Sequence, residues 1–238
     1  GGQSSGPDCG DVVTPLLLLL LAADAAPVAE AASPRFQRCV AMTETDPEKA
    51  VVAASEWRVD GGGIEARQCL GLAYVALNKF DEAATTFTGA AESAASDKPD
   101  RVARLWAQAG NAWLLAGNAA SARTALDKAI ALGGDPLTLG EAHLDRARAV
   151  VTMGDQSAAR ADLDAAVALV PADPMAWLLS ATLARRLGDL PRARTDIAEA
   201  LKRDPNAADI LIEAGNIAIM SGDLAGARAF WSDVVARS

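Results

Sequence analysis

Arginine is the side chain in this sequence best suited to recognition chemistry. Arg104, Arg148, Arg185 and Arg186 stand in a chain that is acidic overall, with 31 Asp and Glu against 22 Lys and Arg and a formal charge of −9. A guanidinium grips a carboxylate through two parallel hydrogen bonds, and the amides of Gln68, Asn111 and Asn216 suit a peptide backbone. Covalent chemistry finds less support. Gly61-Gly62-Gly63 is not followed by the Lys-Ser/Thr of a phosphate-binding loop, and neither Cys-x-x-Cys nor His-x-x-x-His occurs. His143 is the single histidine, and Glu141 and Asp145 lie on other faces of its helix, so an imidazole acting as a base lacks an orienting acid there. The expectation is a protein with no catalytic residue, no metal site and no cofactor, and therefore not an enzyme. The negative charge argues against nonspecific binding to nucleic acid or to an anionic membrane surface.

The elements that must position these side chains show themselves as a repeat. Gly71, Gly110, Ala147, Ala181 and Gly215 recur at separations of 39, 37, 34 and 34 residues. Twelve residues after each stands an alanine: Ala83, Ala122, Ala159, Ala193 and Ala227. Four further on come Phe87, Leu126, Leu163, Ile197 and Trp231, and three beyond those Ala90, Ala129, Ala166, Ala200 and Val234. Each unit carries a mid-point turn, from Asn78-Lys79 through Gly117-Asn118, Gly154-Asp155 and Gly188-Asp189 to Gly222-Asp223. Gly or Asn tolerates the left-handed backbone that closes a helix, and Asp or Asn can cap the next one. Pro99, Pro136, Pro171 and Pro205 are expected to end the units as helix breakers. With 51% hydrophobic but only 4% aromatic residues, the core must come mostly from Ala, Leu and Val, which favours closely approaching helices over sheets.

This set of positions, with Trp106 and Trp177 before the small residue and Tyr74 and Trp113 after it, resembles the tetratricopeptide (TPR) repeat over residues 64–238. The resemblance implies an all-α fold: a right-handed solenoid of antiparallel helix pairs, about twelve helices, with five TPR-like repeats. The small residues are expected where two helices cross, and the large residue four beyond the alanine is expected to fill the gap to the following unit. Residues 34–63 read as one further, degenerate N-terminal helix pair acting as a cap, with Phe36, Cys39 and Val40 on its first helix and Ala50, Ala54 and Trp57 on its second. The run from Cys39 through Asp46-Pro47-Glu48-Lys49-Ala50, Trp57 and the triple glycine to Cys69 resembles exported bacterial TPR proteins. In such a stack Cys39 and Cys69 lie on neighbouring first helices. They are expected either as a disulfide joining cap to first repeat or as two ordinary buried thiols.

A TPR solenoid binds polypeptides on the wall made by the first helix of each pair. By alignment that wall includes Gln68, Leu72, Arg104, Asn111, Leu115, Arg148, Thr182, Arg185, Arg186 and Asn216. Two readings follow: a groove for an acidic segment or C-terminus, or a solvated face whose arginines pair with carboxylates of neighbouring helices. The acidic residues themselves are expected on the second helices.

Residues 1–33 read as a disordered leader. Leu16–Leu21, extended by Ala22 and Ala23, spans too little to cross a bilayer but matches the apolar core of a signal peptide, with Ala23-Asp24-Ala25 or Ala29-Glu30-Ala31 as candidate cleavage site. No Lys or Arg precedes the run. Export to a bacterial periplasm or secretion is the expectation, with a cytoplasmic location as the alternative; 17 Arg against 5 Lys and abundant Ala fit a GC-rich bacterial genome. The expected function is a non-catalytic scaffold or adaptor that binds another protein or peptide in its groove, with no nucleic acid and no integral membrane span. Self-association is the alternative, since no polar capping helix follows the last repeat; an accessory piece of a larger enzyme is the third.

Overall fold

The computed structural model describes residues 32–237, so the signal-peptide-like segment lies outside the described residues. These residues form twelve helices and no strand. The first pair is α1 (Pro34–Thr45) and α2 (Pro47–Val59), followed by α3 (Gly63–Ala76) with α4 (Phe80–Ser93) and α5 (Pro99–Leu115) with α6 (Ala119–Leu132). Then come α7 (Pro136–Thr152) with α8 (Gln156–Leu169), α9 (Pro174–Arg186) with α10 (Leu190–Arg203), and α11 (Ala208–Met220) with α12 (Leu224–Arg237). Each helix packs on the next, α1 also lies beside α3, and α5 beside α7. None of the described helices is long and apolar enough to cross a membrane.

Local chemistry sets the helix ends. Side chains of Ser33, Asp46, Asn118, Asp135, Asp155 and Asp189 accept a hydrogen bond from the backbone N–H three residues on, satisfying a donor that the first helical turn leaves open. The prolines act differently from the expectation. Pro99 and Pro136 open α5 and α7 at a position where the missing N–H costs nothing, while Pro171 and Pro205 lie in the loops before α9 and α11. The turns inside the five repeat pairs follow one scheme, whereas Asp46 alone separates α1 from α2. At Gly117 (φ 77°) the chain enters the left-handed region, and the Asn118 N–H returns to the Trp113 carbonyl at 2.9 Å.

Each pair closes on a seat where one residue is small. A Cβ at Gly71 would meet Phe87 Cε1 at 2.6 Å; one at Gly110 would overlap Leu126, and one at Gly215 would overlap Trp231. Leu163 shares a cluster with Ala147, and Ile197 with Ala181. The large residue therefore fills a vacancy in its own unit and also packs toward the following one, as expected: Phe87 clusters with Leu105 and Ala109 of α5, and Ile197 with Ile210 and Ala214 of α11. The vacancy arises because the two helices of a pair approach most closely where the first offers no side chain. The five repeat alanines, Ala83, Ala122, Ala159, Ala193 and Ala227, are all buried at the same crossings.

The apolar core runs along the stack as successive clusters that meet on shared helices. Cys39, Trp57 and Leu70 occupy α1–α3; Phe87, Leu105 and Leu126 lie in α4–α6; Leu144 and Leu163 lie in α7–α8, and Ile197 and Ile217 in α10–α11. Cys39 on α1 and Cys69 on α3 form a disulfide with a Cα–Cα distance of 6.1 Å. It ties the first pair to the second across a sequence separation of 30 residues.

Two outcomes test this packing. Gly110→Val is expected to lower stability by about 1–3 kcal/mol through overpacking, read in thermal melts. Adding Leu126→Ala should empty the seat, so the double variant loses less than the two single losses combined; strict additivity would mean that Gly110 does not face Leu126. Replacing both Cys39 and Cys69 by Ala is expected to cost about 3–4 kcal/mol by loss of the loop constraint. Hydrogen exchange should show the loss concentrated in α1 and α2, and uniform loosening of the whole stack would contradict it.

Candidate functional site

The first helices bring most of the expected binding residues onto two adjoining cavities. The larger, about 680 Å³, lies along α5 and α7 and is bordered by Leu72, Arg104, Asn111 and Arg148. Val75, Ala107, Leu137, Leu144 and Met175 give it apolar lining. The smaller, about 240 Å³, lies between α7 and α9, where Arg148, Thr152, Thr182 and Arg186 surround Val151, Leu163, Leu179 and Leu183. Arg148 belongs to both. Gln68 stands at the edge of this region and donates its Nε2 to Gln108 Oε1 on α5 at 3.0 Å.

Beyond these cavities the expected residues divide. Arg185 faces α11, where its Nε and Nη2 bond the Glu213 carboxylate at 2.6 and 3.2 Å. Asn216 donates to the same carboxylate at 3.2 Å, so Arg185, Glu213 and Asn216 form a separate polar bridge between α9 and α11. Leu115, at the end of α5, is half exposed and lines neither cavity.

Arg104 and Arg185 pair with carboxylates of neighbouring helices, as the second reading of this wall expected, but the sequence reading did not place those acids on the wall itself. Asp135, Glu141, Asp145 and Asp173 all border the larger cavity, and they sit on first helices or at their caps, not on the second helices as expected. Asp145 is buried and accepts from Asn111 Nδ2 at 2.8 Å and from Arg148 Nη1 at 3.1 Å. Arg104 Nη2 lies 3.5 Å from Asp135 Oδ2. A detectable signal existed for one contact only: Asp145 and Arg148 are three apart, a spacing that joins side chains on a helix. Arg186 is the exception among the groove arginines. It is exposed, with no carboxylate at ion-pair distance among the described residues.

Charge and burial perturb these acids. Glu141 is an exposed residue, but its carboxyl is partly desolvated at the cavity edge; that desolvation, then the negative charges of Asp145, Asp135 and Asp173, push it above its ordinary range. Burial also raises Asp145, against the hydrogen bond from Asn111 and the charge of Arg148. Asp135 is lowered, chiefly by the backbone N–H of Thr138.

His143 does have an acid partner, supplied by the next helix. Its Nδ1 lies 2.8 Å from Asp162 Oδ1, and Arg146 Nε donates to Asp162 Oδ2 at 2.9 Å. Asp162 is 95% buried at its side chain, and both its oxygens are engaged. Burial works to raise its pKa, but the hydrogen bonds from His143 and Arg146 outweigh it and hold the group low. These residues line neither cavity; they fasten α7 to α8. Among the described residues no cluster of His, Cys, Asp and Glu is arranged to hold a metal ion.

A family model described as tetratricopeptide repeat matches residues 70–136, 144–197 and 178–238. Solved structures give the same architecture. PilW, described as a widely conserved type IV pilus biogenesis factor, is 22% identical with a TM-score of 0.68, covering 85% of this chain and 91% of that one. PilF of Pseudomonas aeruginosa is 16% identical with a TM-score of 0.68, covering 82% and 86%. YrrB, described as a TPR protein with an unusual peptide-binding site, is 18% identical with a TM-score of 0.57, covering 76% and 89%. No curated protein matches the chain in sequence.

The raised pKa of Glu141 has a definite sign. Ionisation is harder in the folded state, so the charged group destabilises the fold above its folded pKa, and that penalty vanishes below the unfolded value near 4.5. Glu141→Gln should therefore raise the melting temperature at pH 7 and leave it unchanged at pH 3.5. Equal melting of the two proteins at both pH values would contradict the crowding of charge around Glu141.

Proposed function

The chain belongs to the tetratricopeptide repeat family, and we propose that it is a non-catalytic scaffold that seats a partner polypeptide against the wall formed by α5, α7 and α9. The observation that carries this reading is the pair of adjoining cavities that share Arg148. An extended chain laid along the wall meets both, with apolar surface for its side chains and amides or guanidinium groups for its polar atoms. Gln68 and Leu72 continue the contact surface on α3, and Thr182 on α9.

The smaller cavity supports the expected acidic character of the partner. Arg186 and Arg148 border the smaller cavity, and no carboxylate lines it. An Asp, Glu or chain terminus of the partner fits there, beside an apolar side chain reaching Leu163, Leu179 and Leu183. Arg185 and Asn216 act through Glu213 and hold α9 against α11. Proteins of the same fold lend support by description: YrrB has a peptide-binding site, and PilW is a pilus biogenesis factor. The Cys39–Cys69 disulfide supports an oxidising compartment, in keeping with export to the periplasm or secretion. Self-association is a second reading, favoured by the exposure of Ile212, Met220 and Leu224 on the last pair. Light scattering separates a monomer from a dimer.

Photo-crosslinking tests the groove. A photoreactive residue at Thr182 should capture a partner polypeptide in the native cell, whereas the same residue at Arg123 on α6 should not. Arg148→Ala with Arg186→Glu should cut the Thr182 yield by about tenfold. Equal capture at Thr182 and Arg123 would remove the reading.

A further inference from the structure

We propose that the larger cavity is the seat of a basic side chain: the partner carries a lysine or arginine, flanked by apolar residues, that enters between α5 and α7. The inference rests on the groove reading above and names what the groove selects. Four carboxylates border this cavity, Asp135, Glu141, Asp145 and Asp173, against the guanidinium groups of Arg104 and Arg148. The wall therefore has an excess of negative charge here, opposite in sign to the smaller cavity beside it.

The four acids are not equivalent. Asp135 caps α7 and also accepts from the Thr138 hydroxyl, Asp145 is held by Asn111 and Arg148, and Asp173 accepts from the Met175 N–H. The Glu141 side chain has no hydrogen bond or ion pair among the described residues, although it feels the charge of the other three. It is the acid left to receive a cation.

The form of the cation follows from the surroundings. A metal ion demands three or more ligands converging on one point, and the described residues offer no such group. The cavity is far larger than an ion and has apolar walls, including Leu72, Val75, Leu137 and Met175. Those suit the aliphatic stem of Lys or Arg, whose charged head then reaches Glu141. A second copy of this chain is the wrong occupant on charge, since each copy carries −9. Self-association through the last pair leaves this cavity free, and the occupant proposed for it is a segment of a different polypeptide.

The experiment uses the full chain and three fluorescent nonapeptides that differ only at the centre: Leu-Lys-Leu, Leu-Gln-Leu and Leu-Glu-Leu between Gly-Ser flanks. The Lys peptide is expected to bind at least about tenfold tighter than the Gln peptide in low salt, and to lose that advantage in high salt. Glu141→Gln should erase the preference and Glu141→Lys should reverse it toward the Glu peptide. Glu141 caps no helix and is exposed, and unchanged circular dichroism will verify the fold of both variants. A Lys peptide no tighter than the Gln peptide, or a preference indifferent to Glu141→Lys, overturns the basic seat. If crosslinking at Thr182 succeeds in that event, the groove reading stands without it; if neither peptide binding nor crosslinking occurs, both fall.

Discussion

Everything in this molecule depends on how closely the two helices of a pair can approach. The limit is set by one residue on the first helix. Where it is Gly71, Gly110 or Gly215, the space a methyl group would occupy already holds Phe87, Leu126 or Trp231. The second helix then lies against the first, and alanines such as Ala122 and Ala193 vanish into the crossing. A pair so closed still has an apolar flank, which only a further pair can cover. The first helices consequently fall beside one another, and their remaining faces make a wall with cavities in it. The wall proposed as the binding surface is the residue of a packing problem solved five times.

That constraint explains what was legible in the sequence. A seat needs a small residue, a buried alanine twelve on and a large residue four beyond, because helical periodicity and the intervening turn fix those intervals. Gly71, Ala83 and Phe87 thus announce a helix pair without any coordinates, and the same applies to the four later units. The seat of Phe87 against Gly71 of its own pair, beside its expected packing toward α5, was not legible, because the offset tells which residues recur, not every neighbour each one touches. Pro136 shows a related limit. A proline stops one helix or starts the next with the same residue, and only the capping by Asp135 decides between them.

The candidate site was half legible for a different reason. Membership of the wall follows from register, so Leu72, Asn111 and Arg148 could be placed together. Charge pairing does not follow from register. Asn111 and Asp145 are one repeat apart, and they meet only because α5 and α7 lie side by side at the rotation that points both inward. His143 makes the same point on the other face of α7. Its alignment position carries Trp106 in the previous repeat and Trp177 in the next. Those indoles lie beneath Lys128 at 3.8 Å and Arg203 at 4.8 Å, whereas the imidazole engages buried Asp162. One position is satisfied by a cation over a ring in two units and by a carboxylate in the third, and no single-residue rule separates the two solutions.

Arg148 is where the fold meets the proposed recognition surface. Its hydrogen bond within α7 goes to Asp145, the carboxylate that also receives Asn111 of α5, yet its guanidinium also borders the arginine-rimmed cavity toward α9. The wall therefore changes sign across a single side chain, with carboxylates on one side and Arg186 on the other. On the reading advanced here, that gradient sets the direction of a bound chain. An extended backbone offers donors and acceptors in either orientation, so hydrogen bonding alone discriminates poorly between them. A segment with a base toward α5 and an acid toward α9 meets two complementary potentials; reversed, it meets two repulsive ones. Like-charge juxtaposition penalises the wrong docking more than the right pairing strengthens the correct one. The excess of carboxylates around Glu141, which weakens the empty groove, is on this argument what makes the groove selective.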